Sequence, residues 1–206
     1  MEEMKMIGTK MTRKKVIKWI MVIIFIDGFF TLLIKMILTA LSLEFKFDLN
    51  GYLLLGLFII MLIFILPFII GSNQRIEFSS QKINYYYQHG YLEYLKETIR
   101  IITNAKEIPA ISLQTRQITK VRLSYRKTLA GYGLNGYMWV LEFYLQNNSL
   151  IVISPENMIK SKAGIVYSLL ELLEKMNVEI IDQNDLLPAL KHDNNYFQEY
   201  LMKREK

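Results

Sequence analysis

The chain reads VIKWIMVIIFIDGFFTLLIKMILTALSL from Val16 to Leu43 and YLLLGLFIIMLIFILPFII from Tyr52 to Ile70. A helix rising about 1.5 Å per residue needs about 20 apolar residues to cross roughly 30 Å of hydrocarbon. Each stretch is long enough on that measure. Only about eight residues separate them, a connection short enough for antiparallel neighbours. A two-helix transmembrane hairpin is therefore expected over residues 16–70, with a more polar module after Gly71 held at a membrane face. The first apolar run outlasts the roughly 7–15 residues of a signal-peptide core, and no A-x-A-like site follows it. An uncleaved anchor is expected.

The flanking charges set the orientation. Lys5, Lys10, Arg13, Lys14, Lys15 and Lys18 precede or open the first run. The connecting loop, Ser42 to Gly51, carries Glu44 and Asp48 against the single cation Lys46. Basic flanks stay on the cytoplasmic side. The expectation is an integral membrane protein with two spans and both termini cytoplasmic. Its divisions are a basic cytoplasmic tail (1–15), the hairpin (16–70), a cytosolic domain (71–181) and a polar C-terminal tail (182–206).

Composition agrees with a chain that is part membrane, part globular: 206 residues, 52% hydrophobic, net charge +6, mean hydropathy +0.19. There is no cysteine, which excludes disulfides, Cys-based zinc sites and a Cys nucleophile. Asp27 falls mid-span, where a carboxylate costs about 2.5–3.5 kcal/mol on insertion scales, so it is an intramembrane polar candidate. Lys35, eight residues on, lies too far along the helix to pair with it and can snorkel to the outer interface. Pro67 removes a backbone donor, so a kink is expected near the end of the second helix.

Beyond Gly71, alternation and turn residues read as strands. Arg75–Ser79 and Lys82–Gln88 come first, the latter with Ile83, Tyr85 and Tyr87 on one face. Tyr91–Thr103 fits either a helix, through Tyr91, Leu92 and Leu95, or a strand, through its β-branched residues. Glu107–Leu113 reads as an edge strand, because Pro109 cannot donate to a ladder. In Gln117–Lys127, Thr119, Val121, Leu123 and Tyr125 share one side, and Lys120, Arg122, Ser124 and Arg126 the other. Tyr137–Leu145, an Asn147-Asn148 turn and Leu150–Ile153 follow. Ser154, Pro155 and Glu156 write a helix start, and Ile165, Val166, Leu169, Leu170, Leu173 and Met176 recur at helical spacing. Val178–Ile181 is a short apolar piece, and the last residues read as a short exposed helix.

The fold class is thus α+β: the hairpin, then about seven strands and one long amphipathic helix. That order resembles the pleckstrin-homology-like (PH-like) barrel, in which a helix plugs one open end. A hairpin leading into it is similar to small bacterial membrane proteins with a PH-like domain. The resemblance covers Arg75–Met176 and implies a β-barrel or sandwich with no shared catalytic constellation. Lipid-binding members use basic residues around the first hairpin, where this chain has only Arg75 and Lys82.

Gly131, Gly133 and Gly136 spell G-x-G-x-x-G, but a strand-like segment follows where a dinucleotide site needs a helix; a hairpin loop is expected. Arg116, Lys120, Arg122, Arg126 and Lys127 form a basic set, with no acidic residue between Ile108 and Leu141. Such a strand face either contacts anionic lipid or a partner, or is simply solvated. Neither histidine, His89 nor His192, sits in a metal-ligand spacing, and no catalytic grouping emerges. The expectation is a non-enzymatic interaction module at the cytoplasmic face. It would need no cofactor or metal and would bind the lipid bilayer plus a protein partner or its own copies, not nucleic acid. The alternative is an accessory subunit of a membrane transport or secretion system.

Overall fold

The structure, a computed structural model, describes residues 4–41, 47–71, 74–130, 134–154, 163–192 and 194–205. It divides into two compact units: a helical unit of Met11–Ser72 with Gln88–Glu107, and a two-sheet unit comprising the rest.

The helical unit opens with α1, Arg13–Ala40. Thr12 caps it in extended conformation, its hydroxyl accepting from the Lys15 N–H at 3.4 Å. At 28 residues, α1 is the one helix among the described residues long and apolar enough to cross a membrane, and only 6% of its most apolar window is buried. The expected second span is helical but not uniform. It runs as α2 (Phe47–Ile60), a π turn (Met61–Ile65) and α3 (Leu66–Gly71). Its apolar helix, Leu55–Ile69, is shorter than a span. The physical reason for the interruption is Pro67. It has no N–H to return to the carbonyl of Ile63 four residues earlier, and the chain widens to i→i+5 pairing, with the Leu66 N–H reaching the Met61 carbonyl. The expected kink is thus a π turn. Val16 and Ile23 pack with Leu66, Met61 and Leu62, so the start of the first helix meets the end of the second, the contact pattern of an antiparallel pair.

Tyr91–Thr103 resolves to the helix α4, Tyr91–Ile102. Its β-branched residues favour a strand locally, but Tyr91, Tyr94, Thr98 and Ile101 recur at helical spacing and pack on the hairpin helices. Phe64 stacks on Tyr91 with ring centroids 5.9 Å apart, and Phe68 meets Tyr94 edge-on at 5.9 Å. Tertiary packing overrides the propensity.

The other unit holds two four-stranded sheets. In the first, β1 (Lys5–Gly8), β2 (Arg75–Phe78), β3 (Lys82–Tyr86) and β4 (Ile111–Gln114) lie in that order, all antiparallel. The second has the order β7 (Leu150–Ile153), β6 (Leu134–Leu145), β5 (Ile118–Ala130), β8 (Glu179–Asp182). A helix α5, Ala163–Lys175, and two shorter ones, α6 (Leu187–Leu190) and α7 (Asn194–Arg204), complete the unit. One core joins Ile7, Ile76, Phe78 and Ile83 of the first sheet to Val121, Leu123, Leu141 and Phe143 of the second. It continues into Val166, Leu169, Leu170 and Leu173 of α5. Among the described residues the sheets share no ladder, so the expected barrel does not close.

Two expected tails are part of this core. Residues 1–15 are not merely a basic tail: β1 pairs with β2 over four registered positions, and Ile7 is fully buried. The segment 182–206 is not a polar tail either, because Leu186, Leu190, Phe197 and Leu201 are buried. The apolar piece Val178–Ile181 overlaps β8, which pairs in parallel with β5. Four apolar residues dispersed among polar ones suffice once two short helices bring them to one side.

Four strand ends lie together at one end of the first sheet. Gly8 ends β1 opposite Arg75, which starts β2; Arg75 lies opposite Tyr86, and Ile111, the start of β4, lies opposite Tyr85. Gly8 is required there. Its φ is +96°, and a Cβ would stand 2.5 Å from the carbonyl oxygen of Gln74. Beside it the buried Arg75 guanidinium lies 3.8 Å over the Tyr86 ring and donates to Glu77 at 2.9 Å.

The remaining turns follow the sequence. Asn148 takes φ +62° in the β6–β7 turn, and Asn177 takes φ +62° just past α5, where a left-handed residue ends the helix. Gly136 lies in β6 opposite Thr128, so the glycine-rich segment joins two strands; Gly131 and Gly133 lie outside the described residues, as does the helix start read at Pro155 and Glu156.

Candidate functional site

Strand β5 carries most of the basic set, but alternation divides it. Lys120, Arg122 and Arg126 share the outward face with Ser124. Lys127 falls on the opposite side with Tyr125, and Arg116 sits before the strand in a 3-10 turn, donating to the Gln114 side chain at 2.8 Å. A bulge between Ile118 and Lys120 turns Ile118 inward, so Thr119 is exposed instead of facing the core; its hydroxyl donates to the Tyr144 carbonyl at 3.0 Å.

Register places the neighbours of these cations. One row across the sheet reads Glu179, Lys120, Tyr144, Leu150; the next reads Ile181, Arg122, Glu142, Val152. Lys120 lies 3.4 Å from Glu179, and Arg122 3.4 Å from Glu142. The Tyr144 hydroxyl also donates to Glu142 at 3.2 Å. Arg126 lies beside Met138, its guanidinium 3.9 Å from the sulfur. The face is therefore a lattice of alternating charge, not a uniform cationic patch. At its edge, on β7, Leu150 and Val152 are half-exposed aliphatics at 50% and 51%. Sequence reading missed the counter-charges because Glu142 and Glu179 come from other strands, and strand pairing leaves no local signal.

The other side of β5 ends in a second polar cluster. Lys127 pairs with Glu205, just past α7, and the same carboxylate accepts from the hydroxyls of Tyr125 and Tyr137, each at 3.1 Å. The hydrogen bond from Lys127 holds the Glu205 carboxyl below the ordinary carboxylate range, although desolvation opposes it. Desolvation, then the hydrogen bond to Glu205 and its charge, pushes both tyrosines up. Lys127 is raised, first by its hydrogen bond to Glu205. The Gln198 side-chain amide clasps the Tyr137 backbone, its oxygen accepting from the Tyr137 N–H at 2.8 Å and its NH2 donating to the Tyr137 carbonyl at 2.6 Å. These bonds fasten the chain terminus to the β5–β6 ladder.

A cleft of about 300 Å³ opens between α5, β8 and α6, lined by Tyr167, Leu170, Glu171, Glu174, Ile180, Leu187, Pro188 and Lys191. The Lys191 ammonium stands 5.0 Å from the Tyr167 ring centre. The lining offers charge and aromatic surface. His192 lies against the Tyr196 ring, with centroids 4.3 Å apart. The His89 backbone N–H donates to Glu93 in the first turn of α4. Among the described residues no three His, Asp or Glu side chains gather as metal ligands.

Asp27 lies within α1, and its Oδ1 is buried without a hydrogen-bond partner among the described residues. The Thr31 hydroxyl bonds its backbone carbonyl at 2.8 Å, leaving the carboxylate aside. The chain matches no family model, no curated protein and no solved structure.

Proposed function

We propose that the protein is a non-enzymatic, membrane-anchored interaction module that presents its second sheet to a protein partner at the cytoplasmic face. The observation that carries this reading is the outward face of β8, β5, β6 and β7. Alternating charges, an aromatic hydroxyl and two exposed aliphatics lie there in registered rows. Interface centres favour aromatic and arginine side chains with apolar anchors over bare lysine surface. A bilayer of anionic headgroups would instead meet Glu142 and Glu179 beside the cations, so direct lipid binding by this face is the weaker part of the reading. The PH-like resemblance is consistent with two sheets and a helix after β7.

Two spans with cytoplasmic termini remain the favoured topology. β1 precedes α1 and β2 follows α3, and the two strands are adjacent in one sheet. If α1 crosses the bilayer, the chain has to cross back before β2 forms. The basic residues ahead of α1 favour the cytoplasmic side. The experiment is a crosslinked pull-down of the full-length protein, wild type against Arg122→Glu with Val152→Asp. Loss of one specific partner in the variant is expected. Retention of every crosslinked species would refute the sheet face as the contact. Protease added outside intact cells is expected to spare the C-terminal half.

A second reading, an accessory subunit of a membrane transport or secretion system, is favoured by Asp27. A buried carboxylate oxygen without a partner among the described residues gains most from a donor on a neighbouring helix. Stoichiometric copurification with a transporter from mild detergent would support it.

A further inference from the structure

We propose that α4 is an interfacial helix whose uncovered apolar stripe lies in the lipid headgroup–acyl boundary alongside the hairpin. This inference rests on the membrane reading above. Successive residues turn a helix by roughly 100°, so α4 divides into three strips. Tyr91, Tyr94, Thr98 and Ile101 form the strip packed on the hairpin helices. Glu93, Lys96, Glu97 and Arg100 form the charged strip. Arg100 bridges Glu97 and Glu107 at 2.6 and 2.9 Å, which ties the charged side together beyond the helix end. Between these strips on the remaining side lie Leu92, Leu95, Ile99 and Ile102. Leu92 is 70% exposed, Ile99 53% and Ile102 38%. Two of the three strips are thus largely apolar, and only one of those two is covered by protein.

The uncovered stripe belongs to the same compact unit as α1, the spanning candidate, and that shared unit names the occupant. Helix α4 packs near Val16 and Ile23 and beside Leu66, at the basic end of α1. Six cations precede or open α1, so this end belongs at an anionic leaflet surface. The attachment is specific. The Tyr91 hydroxyl donates to the Ile63 carbonyl at 2.7 Å, the acceptor that Pro67 leaves without its usual N–H. Tyrosines at a membrane–water boundary keep an apolar ring in lipid and a polar tip on a partner. A helix with one apolar arc and one charged arc lies in the interface plane, buried about 5–10 Å.

The chain has no cysteine, so single Leu92→Cys, Ile99→Cys, Lys106→Cys and Phe25→Cys variants each carry one label. The full-length protein is labelled with an environment-sensitive fluorophore and reconstituted in vesicles of phosphatidylcholine and phosphatidylglycerol. Quenching is read with lipid-borne nitroxides at shallow and deep positions and with an aqueous quencher. Expected are loss of fluorescence at positions 92 and 99 with the shallow nitroxide, at 25 with the deep one, and at 106 with the aqueous quencher. If 25 answers to the deep nitroxide while 92 and 99 answer only to the aqueous quencher, or to none, the α4 inference fails and the membrane reading stands. If 25 answers to the aqueous quencher, the membrane reading fails and takes this inference with it.

Discussion

The burial of Ile7 makes the first strand of the chain a structural necessity for the two-sheet unit, and Ile7→Ala measures how much. Ile7 is fully buried in a core shared by both sheets. Truncation removes three carbons' worth of apolar side chain, about 0.8 kcal/mol each by transfer, and leaves a cavity among rigid strand neighbours. The expected loss is about 3 kcal/mol. Met6, one residue earlier on the opposite face, is 37% exposed, so Met6→Ala is a matched control within about 0.5 kcal/mol. The reporter is built in. The chain has two tryptophans; Trp139 is buried in the core, and Trp19 lies on α1. In a Trp19→Phe background, urea unfolding in detergent followed by Trp139 fluorescence reads the two-sheet unit. With a slope of about 2 kcal/mol per molar urea, Ile7→Ala should lower the midpoint by about 1.5 M. Coincident midpoints for Ile7→Ala and the wild type would refute the seating of β1 in the sheet.

Gly8→Ala should destabilise the same transition without removing any contact, since its φ of +96° and the Gln74 carbonyl leave no room for a Cβ; the urea midpoint checks it. Tyr91→Phe removes the hydrogen bond to the Ile63 carbonyl and should cost about 1 kcal/mol, read as a lower melting temperature of the detergent-solubilised protein. The Glu205 cluster has a defined pH window. A lowered carboxyl stabilises the fold above the ordinary carboxylate pKa and stops doing so as pH falls through its lowered value, whereas the raised Lys127, Tyr125 and Tyr137 lose their contribution as pH rises through theirs. Glu205→Gln should therefore move part of the tyrosinate absorbance titration to lower pH; an unchanged titration would count against the cluster. Asp27→Leu removes a carboxylate costing about 2.5–3.5 kcal/mol at bilayer depth; insertion should improve, and copurification of a helical partner should disappear.

Much of this architecture is legible in the sequence, and the exceptions share a cause. β5, β6 and β7 were readable because each strand alternates over enough residues to outvote its neighbours, and Asn147-Asn148 announces the turn between two of them. The span candidate α1 was readable from length alone. What escaped depends on distant partners. β1 is a four-residue strand whose mate lies beyond the whole hairpin. The tail helices bury only a few residues each. Tyr91–Thr103 gave two answers because its β-branched residues and its helical spacing disagree, and packing decided. For the site, the basic residues of β5 were visible in sequence, but the acids that temper them were not. Glu142 is brought near by the β6 ladder, Glu179 by a parallel crossover, and Glu205 by the last helix.

The pairing of β1 with β2 has a consequence for biosynthesis. A ribosome releases Lys5–Gly8 before their mate, which exists only after everything from Thr9 to Gln74 has been made, several seconds later at about 5–20 residues per second. The first strand has to wait, unpaired, while the greasy helices find their place. Completion of the sheet therefore reports that the intervening helices have brought Arg75–Phe78 back beside Lys5–Gly8, and a molecule in which they fail to do so keeps an open sheet edge for proteases and chaperones to recognise.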